Sequence, residues 1–275
     1  MGLFKRTRQS RGSRQENMAD GFRQAAAQRQ VPYVSVTPNQ GVDLAAALIE
    51  QTAQSMIAKG RIQDAIDLYT ETADGDRRLL AAGGVAGVGA GEAARIGVKL
   101  ARTLTRISML YGQSSCPEPA LSYASEAVEV SRGLAVADPA AFESDFAWTL
   151  IYLSVLLAGL GRLDEAVAAT EEAVAVSRRQ AAQGSPASEI DLVTGLSNLS
   201  ALLAVTPARQ AEAEAAAEEA ARICRRRAAA DPAAFQAALG GGLRDALDRL
   251  AEVLDRLGRA EQAAAVRRDS SAPAR

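Results

Sequence analysis

Four residues return along the chain at a nearly constant interval, and this recurrence limits the fold more than any other feature. The sets are Leu104, Ile107, Ser108 and Tyr111; Leu150, Leu153, Ser154 and Leu157; Leu196, Leu199, Ser200 and Leu203; and Leu247, Leu250, Ala251 and Leu254, separated by 46, 46 and 51 residues. Within each set the offsets 0, +3, +4 and +7 place three bulky side chains and one small one on a single helical stripe. A helix with one apolar stripe needs cover. A stripe that returns at a fixed period means that equivalent helices supply that cover to one another.

A second helix follows each stripe with its own small-residue pattern. Ala120 with Glu126-Ala127-Val128 is repeated 46 residues on as Ala166 with Glu172-Ala173-Val174, and Glu219-Ala220-Ala221 echoes both. The connections repeat too: Asp138-Pro139-Ala140-Ala141-Phe142 returns as Asp231-Pro232-Ala233-Ala234-Phe235. Asp before Pro is a helix-start signal, with the carboxylate as N-cap and Pro in the first turn. A weaker stripe at Ile49, Thr52, Ala53 and Met56 lies 55 residues before the first regular one, and the glycines between Gly83 and Gly91 account for the longer interval. Gly240-Gly241-Gly242 stretches the last interval in the same way. Glycine runs break helices, so both segments are expected to be linkers. From Asp43 onward the reading is five helix pairs, the first and last least regular.

These residues resemble tetratricopeptide repeats over about Asp43 to Arg268. The resemblance lies in the leucine stripes with Ser108, Ser154, Ser200 and Ala251 as the small member, in Ala173 of the second helix, and in the turn Leu160-Gly161-Arg162 to Ala166. Similar turns stand at Lys59-Gly60-Arg61 and Leu257-Gly258-Arg259. The spacing is longer than the usual 34-residue unit, closer to the repeats of kinesin light chains and of actinobacterial regulatory proteins. The resemblance implies an all-α fold, an α-α superhelix of about five stacked antiparallel helix pairs (a TPR-like solenoid), with first helices lining a concave groove that binds peptides or partner helices. The domain reading is a basic arm with a short extended segment at 1–42, the repeat domain at 43–268, and a disordered tail at 269–275.

Composition narrows the chemistry. Sixty residues are alanine and 4% are aromatic, which favours thin helical layers in close contact over one thick core. There is no histidine, so Ser-His-Asp and Cys-His relays and imidazole metal ligands are excluded. Cys116 and Cys224 are too few for a four-thiolate site, and such sparse cysteine use fits a reducing compartment. The expectation is a non-enzymatic protein without metal or cofactor. The longest strongly apolar run, Phe146 to Gly161, has 16 residues against the ~20 a bilayer core requires. No apolar stretch of the secretory kind follows the N-terminal cations. The chain is therefore read as cytoplasmic, without an integral membrane segment.

Residues 1–29 carry Lys5, Arg6, Arg8, Arg11, Arg14, Arg23 and Arg29 against Glu16 and Asp20, a charge of +5 that leaves the remainder at -7. This arm has too few apolar residues to offset the entropy of ordering it, and three roles stand open: a solvated tail, an internal ligand of the acidic body, or a contact to nucleic acid or an anionic surface. Val31 to Pro38 alternates β-branched residues between prolines and reads as the one strand-like segment.

Candidate partner-binding residues are those flanking the stripes on the first helices: Arg102, Arg106, Trp148, Tyr152, Asn198 and Arg249. Arginine offers a planar fork to carboxylates, asparagine both donates and accepts, and Trp and Tyr are common interface anchors. The competing reading packs Trp148 against Phe142 or Phe146 and leaves the arginines solvated or paired with nearby acids. The function expected is an interaction scaffold with a regulatory or assembly role and a protein or peptide partner. The alternatives are an oligomer-forming subunit that uses the repeat ends, or an adaptor that uses the basic arm.

Overall fold

The computed structural model describes residues 44–86, 89–184, 186–238 and 243–271. The basic arm and the Val31–Pro38 segment lie outside them. Among the described residues there is no strand. The helices come in pairs: α1 (Leu44–Ala58) with α2 (Ile62–Ala86), α3 (Ala90–Gln113) with α4 (Pro117–Ala137), α5 (Pro139–Gly159) with α6 (Leu163–Ala182), and α7 (Pro186–Leu203) with α8 (Gln210–Ala230). A short α9 (Pro232–Ala238) then precedes α10 (Arg244–Arg256) and α11 (Ala260–Ser271). The expected linker between Gly83 and Gly91 is shorter than its glycines imply, because α2 continues through Gly83 and Gly84 to Ala86 and α3 begins at Ala90. Alanine-rich neighbours on both sides offset the weak helix preference of glycine.

The described residues form two compact units, 44–149 and 150–271, divided within α5. In the N-terminal unit α2 packs on α1 and α3, and α3 on α4. Ala53, Ala65, Ile66, Tyr69, Leu100, Leu104, Ile107 and Ala127 make its core, with Ile49, Met56 and Tyr111 against it. In the C-terminal unit α7 packs on α6, α8 and α10, and α10 on α11. Leu150, Leu196, Leu203, Leu247, Leu250 and Leu254 are buried there, as are the alanines Ala166, Ala173, Ala213, Ala217, Ala220 and Ala263. Small residues on the second helices let the leucine-bearing helices come close. In the N-terminal unit this approach is near enough for Ser108 Oγ to donate to the Ala120 carbonyl at 2.6 Å.

By length and composition α5 is a helix able to cross a membrane, longer than its apolar run because Pro139 starts it seven residues before Phe146. Half of its most apolar window is buried inside the protein. Phe146, Leu150, Ile151 and Leu157 are among its buried residues.

Punctuation follows the repeats. The Asp138 and Asp231 carboxylates accept from the backbone N–H groups of Ala141 and Ala234 at 3.1 and 3.0 Å, as N-caps. After the first cap α5 runs unbroken. After the second come α9, to Ala238, and α10, from Arg244. Three turns share one left-handed glycine, Gly60, Gly161 and Gly258, with φ of 74, 75 and 76°. In each, the next N–H reaches the carbonyl five residues back: Arg61 to Met56 at 2.9 Å, Arg162 to Leu157 at 2.9 Å and Arg259 to Leu254 at 2.8 Å. The turn between α3 and α4 makes the same bond, Cys116 N–H to the Tyr111 carbonyl at 2.9 Å, but holds Ser115 at φ 58° where the others have glycine.

Equivalent positions are not satisfied equally. Ser131 Oγ donates to Thr149 Oγ1 at 3.2 Å between α4 and α5, the Thr149 proton being directed to the Asp145 carbonyl. Forty-six residues on, the counterparts are Ser177 and Gly195, so the buried Ser177 hydroxyl lacks that partner and makes no hydrogen bond. A Cβ at Gly195 would meet Val174 Cγ2 at 3.1 Å, and the glycine therefore serves close packing at the expense of the bond.

Two outcomes follow for stability. Ser115→Gly should raise it by about 0.5–1 kcal/mol in thermal or urea unfolding, since a side chain in the left-handed region costs roughly 1–2 kcal/mol, partly returned as unfolded-state entropy. A lower melting point in that variant would contradict the turn assignment. Ser131→Ala should cost about 1 kcal/mol, whereas the equivalent Ser177→Ala should be neutral or stabilising, because only the first removes a bond and the second removes an unsatisfied buried hydroxyl. Equal losses from the two would refute this.

Candidate partner-binding surface

The candidate residues fall in both units, three in each. In the N-terminal unit Arg102 is exposed on α3, Arg106 is half-buried one turn further on, and Trp148 is half-buried on α5. Arg106 is engaged from within: its Nη1 lies 2.5 Å from Glu50 Oε1 of α1. Glu50 is a shared acceptor, taking the Tyr69 hydroxyl from α2 at 3.0 Å and the Gln54 amide at 2.7 Å. Burial pushes the Tyr69 phenol up to about 12, against the pull of Arg106. Glu50 thus ties α1, α2 and α3 together, and Arg106 is part of that clasp.

Arg102 faces a different acid. Burial raises the Asp145 carboxyl above its usual range, and the Arg102 charge lowers it again. Asp145 sits one turn before Thr149, whose hydroxyl donates to its carbonyl at 2.5 Å, and three residues before Trp148. Beside them the Arg132 guanidinium of α4 stands 4.9 Å from the centroid of the Phe146 ring, a cation–π contact. The N-terminal unit therefore groups arginine, a half-buried carboxylate and aromatic rings on facing parts of α3, α4 and α5.

In the C-terminal unit Tyr152 on α5 and Asn198 on α7 are buried, at 7% and 2% exposure, and Arg249 on α10 is half-buried. Tyr152 and Asn198 thus lie within the packed layer, while Arg249 reaches the surface. Sequence reasoning passed over Glu50 and Asp145. Each directly precedes or follows an apolar core residue (Ile49, Phe146), a position that places a carboxylate at the edge of a stripe, but nothing in the local sequence tells which distant arginine it meets.

The cysteines are free, Cys116 exposed and Cys224 buried. Burial pushes the Cys224 thiol up to about 12. No group of three or more Cys, Asp or Glu suited to a metal occurs among the described residues.

With this architecture in view, the molecule aligns with BtubC (BKLC) from P. vanneervenii over 96% of this chain and 95% of that one, with a TM-score of 0.54 and 18% identity. The likeness shows the fold, an all-α helical repeat that resembles the tetratricopeptide type. Other solved structures with lower overlap are a kinesin light chain-type protein of Podosopora anserina with nearly identical TPR-like repeats (14% identity, 82% of this chain, 92% of that one, TM-score 0.44) and MamA (14%, 79% and 91%, TM-score 0.43). No family model and no curated protein matches the chain. What is shared is therefore the backbone arrangement of an all-α helical repeat.

Thiol titration tests the burial assignments. One cysteine per folded chain should react near pH 8, and both after denaturation. The raised folded-state pKa of Cys224 also carries a sign: the unfolded thiol loses its proton first, so its contribution to stability is intact below about 9 and lost as pH climbs toward about 12. Rapid labelling of two thiols in the native protein would contradict the packing of α8.

Proposed function

We propose that this chain is a non-catalytic, cytoplasmic interaction scaffold, with the repeat region at 43–268, that binds a protein or peptide partner through its first helices in an assembly or regulatory role. The observation that carries this reading is the division of labour on α3, α5 and α10. Leu104, Ile107, Leu150, Leu157, Leu247, Leu250 and Leu254 of their stripes are buried, while Arg102, Trp148 and Arg249 remain at least partly accessible beside them. Side chains of this kind on a rigid helical support suit recognition of a partner's carboxylates and apolar groups. Arg106, Tyr152 and Asn198 serve in this reading as the support that holds the accessible residues in place.

An oligomer-forming subunit that uses the repeat ends would need an uncovered apolar face at the last repeat. The exposed positions of α10 and α11 are Arg244, Asp248, Glu252, Asp255, Arg256, Ala260, Glu261, Arg267 and Arg268, a charged surface of the kind that closes a repeat array. This favours the partner reading over end-to-end contact at that pair.

The test begins with a partner isolated by affinity purification on the full chain. Arg102→Ala, Trp148→Ala and Arg249→Ala should each weaken its binding by roughly 1–2 kcal/mol, about 5- to 30-fold, in calorimetry or surface binding. Wild-type affinity in all three variants would exclude the first-helix surface.

A further inference from the structure

In the C-terminal unit α6, α8 and α10 all pack on α7, but first helices and second helices meet their own neighbours differently. On the side of the first helices, α7 packs directly on α10, with Leu196, Leu203, Leu247, Leu250 and Leu254 buried. On the side of the second helices, α6 and α8 both rest on α7 yet barely approach each other's backbones. Two arginine–carboxylate pairs bridge that gap in opposite directions. Arg178 of α6 reaches Glu219 of α8 with Nε–Oε1 and Nη2–Oε2 distances of 3.2 and 2.5 Å. Arg209, at the entry to α8, is gripped by Glu212 of its own helix at 3.0 and 2.6 Å and also reaches Glu171 of α6 at 2.7 Å. Glu219 belongs to the recurring Glu-Ala motif of the second helices. Its counterpart Glu126 in the N-terminal unit takes a two-pronged contact from Arg77 of α2 at 2.7 and 2.6 Å, so the same device appears twice.

We propose that Arg178–Glu219 and Arg209–Glu171 form a salt-sensitive latch that sets the spacing of α6 and α8, so that ionic strength opens the second-helix side of this unit while the apolar α7–α10 seam stays closed. The asymmetry follows from exposure. The four side chains retain 26–51% of their accessible surface. The Debye length falls from about 10 Å at about 0.1 M salt to about 3 Å at about 1 M, which reaches exposed ion pairs and leaves apolar contacts untouched. Two pairs crossing in opposite directions restrain α8 against rotation as well as separation, which a single pair would not do.

Distance measurement by pulsed electron paramagnetic resonance tests the latch in the full chain. Spin labels at Ala182→Cys and Ala229→Cys, in a Cys116→Ser background, report the gap between the C-terminal ends of α6 and α8. The expected result is one narrow distribution at about 0.1 M salt that broadens and moves to longer distance at about 1 M. Arg178→Gln with Arg209→Gln should show the longer, broader distribution at low salt and no further response. The charge swap Arg178→Glu with Glu219→Arg, which reverses a pair joined only to each other among the described residues, should keep the narrow distribution and its salt response. A wild-type distribution indifferent to salt, or a double variant that responds as the wild type does, would overturn the proposal.

Discussion

The structure depends on close contact between leucine-bearing first helices and alanine-bearing second helices. A pair of such helices leaves part of its stripe bare, and burying a leucine side chain is worth roughly 1.5–3 kcal/mol, enough to make the next pair a requirement of stability. In the C-terminal unit α7 shows this plainly, since Leu196, Leu199 and Leu203 are covered by contributions from α6, α8 and α10 together. The small residue in each set matters as much as the large ones. Ser108, Ser154, Ser200 and Ala251 are all buried, and a bulky side chain at any of them would force the paired helices apart.

Much of this is legible in the sequence because it is periodic. The stripes at Leu104, Leu150, Leu196 and Leu247 locate the first helices, the Asp-Pro dipeptides locate two helix starts, and the Gly-Arg turns at Gly60, Gly161 and Gly258 locate three helix ends. Where a local signal departs from the period, the reading falters. Ser115 takes the left-handed turn position without being a glycine, and nothing in its neighbours announces it. Gly83 and Gly84 look like breakers and lie inside α2, because the choice between helix and linker is made by packing along the whole segment.

The partner-binding surface is less legible, for a physical reason. Spacing along a helix tells which face a residue occupies but not what stands opposite it. Arg106 and Arg102 lie one turn apart on α3, yet the first is fastened to Glu50 while the second lies exposed near Asp145, and the acids come from α1 and α5. Tyr152 and Asn198 sit beside the stripe by spacing and are buried by the breadth of the contact. Polar pairs such as Arg77–Glu126 and Arg178–Glu219 are set by the same tertiary geometry, although the glutamates belong to a visible motif.

Native-state hydrogen exchange on Leu247→Ala tests the mutual cover of neighbouring pairs most directly. Leu247 is fully buried on α10, and its truncation removes about 2–5 kcal/mol of packing. If each pair is completed by the next, amides of α7 and α8 should lose protection together with those of α10 and α11. Loss confined to α10 and α11, with α7 and α8 exchanging as in the wild type, would mean that the pairs are self-sufficient and would contradict the account.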